Sequence, residues 1–228
     1  MKITDQPVSG KQETGFLHLY VWGCLAAMLA FQGIAFYGTR LLLPYLPVHR
    51  LNLPLDAAVP FVPEWVSVYC LAYVSWLASG LLILSQGKKH ALRFTSTFIL
   101  AMLLSGALFL IWPLRIERPG IIGNGFLRDL LRAIYRADEP INLCPSLHVL
   151  ISYLCWRGMW GCPRLPRWLK GCNLVFLVLV CLSVLFVKQH LSVDIAGGIL
   201  IGECALQAVR LLSGRRKQDP DPGPQAGA

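Results

Sequence analysis

The chain divides into six long apolar stretches separated by short polar breaks, at 16–37, 61–84, 94–113, 144–160, 172–187 and 191–212. Most approach the ~20 residues that an α-helix needs to cross a bilayer, and the fourth is short. The pattern predicts an all-α integral membrane protein. Residues 1–15 form a polar leading segment, 16–213 a six-helix transmembrane domain, and 214–228 a Pro-, Gly- and Asp-rich tail expected to be disordered. The polar start and long first apolar run do not suit a cleavable signal. No solenoid-type repeat is visible.

The break at 114–143 is longer and has its own periodicity. Arg128, Arg132 and Arg136 recur every four residues and line one helical face. Phe126, Leu127, Leu130, Leu131 and Ile134 lie largely elsewhere around the helix. This predicts an interfacial amphipathic helix. It is either a lid packed on the bundle with a solvated Arg face, or an Arg surface that gathers anionic lipid headgroups.

Composition agrees with a membrane protein. Of 228 residues, 55% are hydrophobic and 14% charged, too apolar a balance for an ordinary soluble domain. A formal charge of +9 could indicate a nucleic-acid partner. Cytoplasmic loops rich in Lys and Arg account for it better, and no nucleic acid is expected. Lys88, Lys89 and Arg93 follow the second stretch, Arg157, Arg164, Arg167 and Lys170 the end of the fourth, and Arg215, Arg216 and Lys217 the sixth. Six spans put these groups and both termini in the cytoplasm. The eight cysteines form no C-x-x-C pair and no Cys/His zinc pattern, so neither a disulfide framework nor a metal site is expected, and no cofactor.

The candidate chemistry falls on the opposite, extracytoplasmic face. His190 precedes Asp194 by four residues at the mouth of the sixth stretch, so in a helix the two would share a face. An acid just inside an apolar segment needs a partner, and this one can hold one imidazole nitrogen while the other attacks. His148 follows Pro145-Ser146-Leu147 at the start of the fourth stretch. Phosphoryl transfer needs a nucleophile, donors for the equatorial oxygens and an acid for the leaving oxygen. Here His190 would attack phosphorus, Asp194 would orient it and His148 would protonate the departing alkoxide. Arg115, Arg118 and Lys188 would neutralise charge, and Ser146 with the N–H groups of its helix N-terminus would add hydrogen bonds. Plainer roles exist for several of these. Arg115, Arg118 and Lys188 could snorkel as anchors. Gly197 and Gly198 could permit close helix packing. His18, His49 and His90 read as capping or interfacial residues.

Three segments together resemble the type 2 phosphatidic acid phosphatase superfamily. They are Leu114-Arg115-Ile116-Glu117-Arg118-Pro119, Pro145-Ser146-Leu147-His148, and Ser183 through His190 to Asp194. The resemblance implies a six-helix bundle of the phosphatidic acid phosphatase/haloperoxidase type, with a phosphohistidine on His190, support from Asp194 and acid catalysis by His148. The chain departs from the pattern at three positions. Ile111 stands where the first motif has Lys, Leu147 where the second has Gly, and Val184 where the third has Arg. Arg115 could replace the Lys, and Lys188, one helical turn after Val184, could replace the Arg. The Lys-Gln-His form is similar to the branch containing inositol phosphorylceramide and sphingomyelin synthases.

The expectation is a multi-pass membrane lipid-phosphate phosphatase, metal-independent, acting from the bilayer on a phosphorylated lipid. The alternative is a lipid phosphotransferase that moves a phosphoryl-headgroup onto a lipid alcohol. A third reading is a non-catalytic transporter or scaffold on the same fold. The sequence sets no oligomeric state.

Overall fold

The computed structural model describes residues 19–51 and 53–215. His18, the segment 1–15 and the tail beyond Arg215 lie outside the described residues. The chain is mostly helical: α1 (Leu19–Gly33), α2 (Pro54–Ala58), α3 (Val66–Leu84), α4 (Lys88–Ile111), α5 (Phe126–Ala137), α6 (Leu147–Trp160), α7 (Arg167–Phe186) and α8 (Ser192–Arg215). A π-helical turn, Ile34–Gly38, continues α1. Two short strands, β1 (His49–Arg50) and β2 (Leu114–Arg115), pair in parallel and tie the loop after α1 to the loop after α4.

Among the described residues, five helical segments are long and apolar enough to cross a membrane: Leu19–Tyr45, Pro63–Leu84, Lys88–Ile111, Arg167–Phe186 and Ser192–Ser213. They match five of the six predicted stretches. The fourth is corrected. Helix α6 has 14 residues, a length of about 21 Å, short of the ~30 Å hydrocarbon layer. It sits inside the bundle, packed on α3, α4, α7 and α8, with Leu147 through Cys155 all buried. The chain ahead of it, Ile141 to Ser146, is also buried but not helical. Irregular backbone at that depth is tolerated where protein surrounds it, and it leaves carbonyl groups free for other uses.

The joint of α6 and α8 is made by glycines. A Cβ on Gly198 would meet the Ser146 carbonyl oxygen at 2.9 Å, and one on Gly197 would meet Cys144 Sγ at 2.9 Å. Close packing is therefore their role, and it brings the N-terminus of α8 against that of α6. Arg157 is not a loop residue. It lies in α6 and bonds Glu203 of α8 through Nε and Nη2, both at 3.1 Å. The basic start of α4 shares an end of the bundle with the α6–α7 loop, since His90 Nε2 lies 3.1 Å from Cys162 Sγ. The N-termini of α6 and α8 lie at the other end.

Candidate active site

Three connections meet at that end. The first is the turn after α7. Lys188 has φ 49°, in the left-handed region. Its N–H donates to Leu185 O at 3.1 Å, and the next N–H, of Gln189, donates to Val184 O at 3.0 Å. This pair of bonds is a Schellman cap, with lysine at the position usually given to glycine. The cap stops α7 at Phe186 and turns Gln189 and His190 inward. His190 is thus not helical, and the expectation that it shares a helix face with Asp194 is corrected. The two still meet, because α8 begins two residues later: His190 Nδ1 lies 3.3 Å from Asp194 Oδ2.

A second acceptor lies closer. His190 Nδ1 is 3.0 Å from the carbonyl oxygen of Leu143, in the irregular stretch before α6. A carbonyl only accepts, so Nδ1 carries a proton, and in the neutral ring Nε2 then keeps the lone pair. Asp194, fully buried, also accepts the Leu191 N–H at 2.7 Å, closing the first turn of α8. Its own carbonyl accepts the Ser146 N–H at 3.0 Å. Asp194 therefore ties α8, His190 and the N-terminus of α6 together.

The second connection is 112–125. Arg118 donates to the carbonyls of Tyr135 and Asp138 and to Gln189 Oε1, and its ring-facing guanidinium carbon lies 4.6 Å from the Tyr135 centroid. Burial draws its pKa below the usual arginine value, opposed by Asp138. Tyr135 donates its O–H to Val187 O at 2.6 Å, and burial pushes its pKa up to about 12. The third connection is the loop holding α2. Asp56 accepts the Ser192 N–H at 2.7 Å and the Ser192 hydroxyl at 3.2 Å, capping α8 from outside.

His148 enters from the first turn of α6. Its ring stacks on Tyr69 at 3.9 Å between centroids, with Trp76 at 4.9 Å and Tyr73 at 5.3 Å. These three aromatics belong to α3. Together with Arg118, Gln189 and His190 they line a cavity of about 420 Å³. A second cavity of about 850 Å³, lined by Arg50, Asp56, Arg115, Glu117 and Lys188, also reaches Arg118 and His190. Around His190 several buried polar atoms lack a hydrogen-bond partner among the described residues: Arg118 Nε, Ser146 Oγ, His148 Nε2 and Gln189 Nε2. Asp194 Oδ1 and Asn142 Oδ1 are further such atoms, and groups of this kind are rare in a folded chain unless water, an ion or a ligand satisfies them.

Of the expected site residues, His148, His190 and Arg118 line the inner cavity, while Asp194 and Ser146 lie fully buried outside its lining, joined by the Ser146 N–H bond to Asp194 O. Arg115 lines only the outer cavity and is exposed. Lys188 does not take the position expected one helical turn after Val184, because the left-handed turn breaks that phase. Its Nζ donates to the carbonyls of Val59 at 2.6 Å and Asp56 at 3.0 Å. Desolvation lowers its pKa and Asp56 opposes the shift. Helix α5 packs as a lid: Leu131 is buried, Ile134 lines the inner cavity, Arg128 pairs with Glu64 at 2.6 Å and Arg132 with Asp129 at 2.5 Å. Two of its three arginines are thus already engaged. Tyr69, Tyr73 and Trp76 were missed from the sequence, though their i, i+4, i+7 spacing was a usable signal. Gln189, Asp56 and the Leu143 carbonyl carried no comparable signal.

Comparison with known proteins returned no matching family model, no matching curated protein and no matching solved structure.

Proposed function

We propose that the chain is a membrane lipid-phosphate phosphatase that works through a phosphohistidine on His190. The observation that carries this is the state of the His190 ring. Its Nδ1 is engaged by Leu143 O at 3.0 Å and Asp194 at 3.3 Å, which leaves Nε2 as the nucleophilic nitrogen beside unpartnered buried donors. His190 Nε2 attacks phosphorus, the bond from phosphorus to the lipid oxygen breaks, and His148 delivers the proton that the leaving alkoxide takes up. Water, deprotonated by the same His148, then attacks the phosphohistidine and releases inorganic phosphate and free His190. Arg118, which lines both cavities, holds an equatorial oxygen throughout.

The motif resemblance supports placing this chemistry on a six-helix bundle of the phosphatidic acid phosphatase type, with α6 as the sixth, internal helix. Arg50, Arg115, Arg118 and Lys188 lie at the His190 end, so the reading of cytoplasmic termini and an extracytoplasmic site rests on the loop cations Lys88, Lys89, Arg93 and Arg164 at the opposite end. The apolar wall of the inner cavity, with Leu29, Phe36 and Leu147, suits a lipid supplied from the bilayer.

One observation favours a second reading, phosphotransfer to an alcohol. The outer cavity, about 850 Å³, opens on the same His190 and has room for an acceptor much larger than water. Phosphate release by the detergent-solubilised protein from a panel of lipid phosphates, with His190→Ala as control, tests the proposal. Loss of release in the variant is expected, and equal release overturns the mechanism. A new phospho-headgroup lipid that depends on His190 selects the transferase.

A further inference from the structure

The turn after α7 delivers one more polar side chain to the site, and no motif in the sequence assigns it. Gln189 is 2% exposed and lines the inner cavity beside His148 and His190. Its backbone is fixed by the Schellman cap, through the bond from its N–H to Val184 O at 3.0 Å. Its side-chain orientation is fixed by Arg118. A guanidinium only donates, so the amide oxygen must face Arg118 and the amide nitrogen must face away. That nitrogen, Nε2, is buried and has no hydrogen-bond partner among the described residues. An unpaired buried donor is costly, and here it belongs to a residue that lines the same cavity as His190.

We propose that Gln189 is a substrate-binding residue whose amide N–H groups hold an equatorial oxygen of the phosphorus centre that His190 attacks. The inference rests on the phosphohistidine reading above. Charge placement supports it. Val184 is packed in the apolar core, Ile111 is 77% exposed at the end of α4, and the Lys188 ammonium is spent on the carbonyls of Asp56 and Val59. Among the residues lining the inner cavity, Arg118 is the one lysine or arginine. The neutral amide of Gln189 adds an unpartnered buried donor to that lining. On the inner-cavity side, the growing charge on phosphorus then meets the Arg118 guanidinium and a preoriented neutral amide.

A plainer role is that Gln189 only steadies Arg118. Gln189→Glu separates the two. Glutamate keeps an oxygen for Arg118 in the same place but replaces the N–H donors with an anionic oxygen. The measurement is orthovanadate binding to the full chain in detergent, by calorimetry, with melting temperature as the check on folding. Wild type is expected to bind, His190→Ala to lose binding, and Gln189→Glu to bind at least about 100-fold more weakly, the scale of one lost preorganised donor plus a like charge. Binding by Gln189→Glu equal to wild type overturns the donor role and leaves the His190 mechanism standing. Vanadate binding that does not depend on His190 overturns both. If Gln189→Glu does not fold, Gln189→Met is measured in the Arg118→Ala background, where steadying Arg118 no longer counts: a further weakening of vanadate binding supports the donor role, and no further weakening overturns it.

Discussion

Replacing Asp194 with Asn isolates what its charge contributes to the His190 nucleophile. An asparagine oxygen can still accept the Leu191 N–H, now held at 2.7 Å, so the first turn of α8 keeps its closure. What disappears is the negative charge 3.3 Å from His190 Nδ1. The Leu143 carbonyl remains at 3.0 Å and still requires the proton on Nδ1. Where a carboxylate alone sets the tautomer, its amide costs about 10⁴-fold in turnover. Where it supports a ring already held by another acceptor, about 10- to 100-fold is expected, or ~1.4–2.7 kcal/mol. The assay is kcat/KM for His190-dependent phosphate release, with the melting temperature measured in parallel. A fall near 10⁴-fold at an unchanged melting temperature would show that Leu143 does not hold the tautomer. No fall at all would reduce Asp194 to a helix cap. Asp194→Ala also strips the buried Leu191 N–H of its acceptor, and should cost a further ~1–3 kcal/mol of stability.

Gly198→Ala places a Cβ 2.9 Å from Ser146 O and 3.1 Å from Leu150 N, both backbone atoms, and should destabilise by about 1–3 kcal/mol in detergent melting. Gly171→Ala, with nothing within 4 Å, is the control and should melt within about 0.5 kcal/mol of wild type. Lys188→Ala should raise hydrogen exchange across 53–62 and lower turnover by less than about tenfold, because the ammonium bonds Asp56 and Val59 carbonyls and does not line the inner cavity. A loss of about 100-fold or more, the scale of an oxyanion donor, would restore it as a phosphate ligand. Among the described residues no group of three His, Cys, Asp or Glu could hold a metal ion, so chelator should leave turnover unchanged; a reversible loss restored by one divalent cation would refute this.

Five of the helices were legible because continuous apolar runs of spanning length have few alternatives. Helix α6 was legible as an element but not as an internal one. Residues 144–146 are buried like the helix that follows but are not helical, and burial by protein is not readable from apolar character alone. His148, His190 and Asp194 stood out because ionisable groups are rare inside apolar sequence. Lys188 misled, because helical phase was extended through a residue that adopts a left-handed conformation despite its side chain. The Leu143 carbonyl could not be foreseen, since any residue supplies one and only the tertiary path decides which is free. Gln189 is uncharged and sits between two residues that looked more important.

The phosphohistidine is the centre of the mechanism and can be trapped. The full chain is incubated with a lipid phosphate carrying a radiolabelled phosphoryl group, quenched in denaturant, and its labelled peptide sequenced. The expected result is a label that survives alkali, is lost in acid, maps to His190 and vanishes in His190→Ala. A label on another residue, or phosphate release at wild-type rate from His190→Ala, would contradict it.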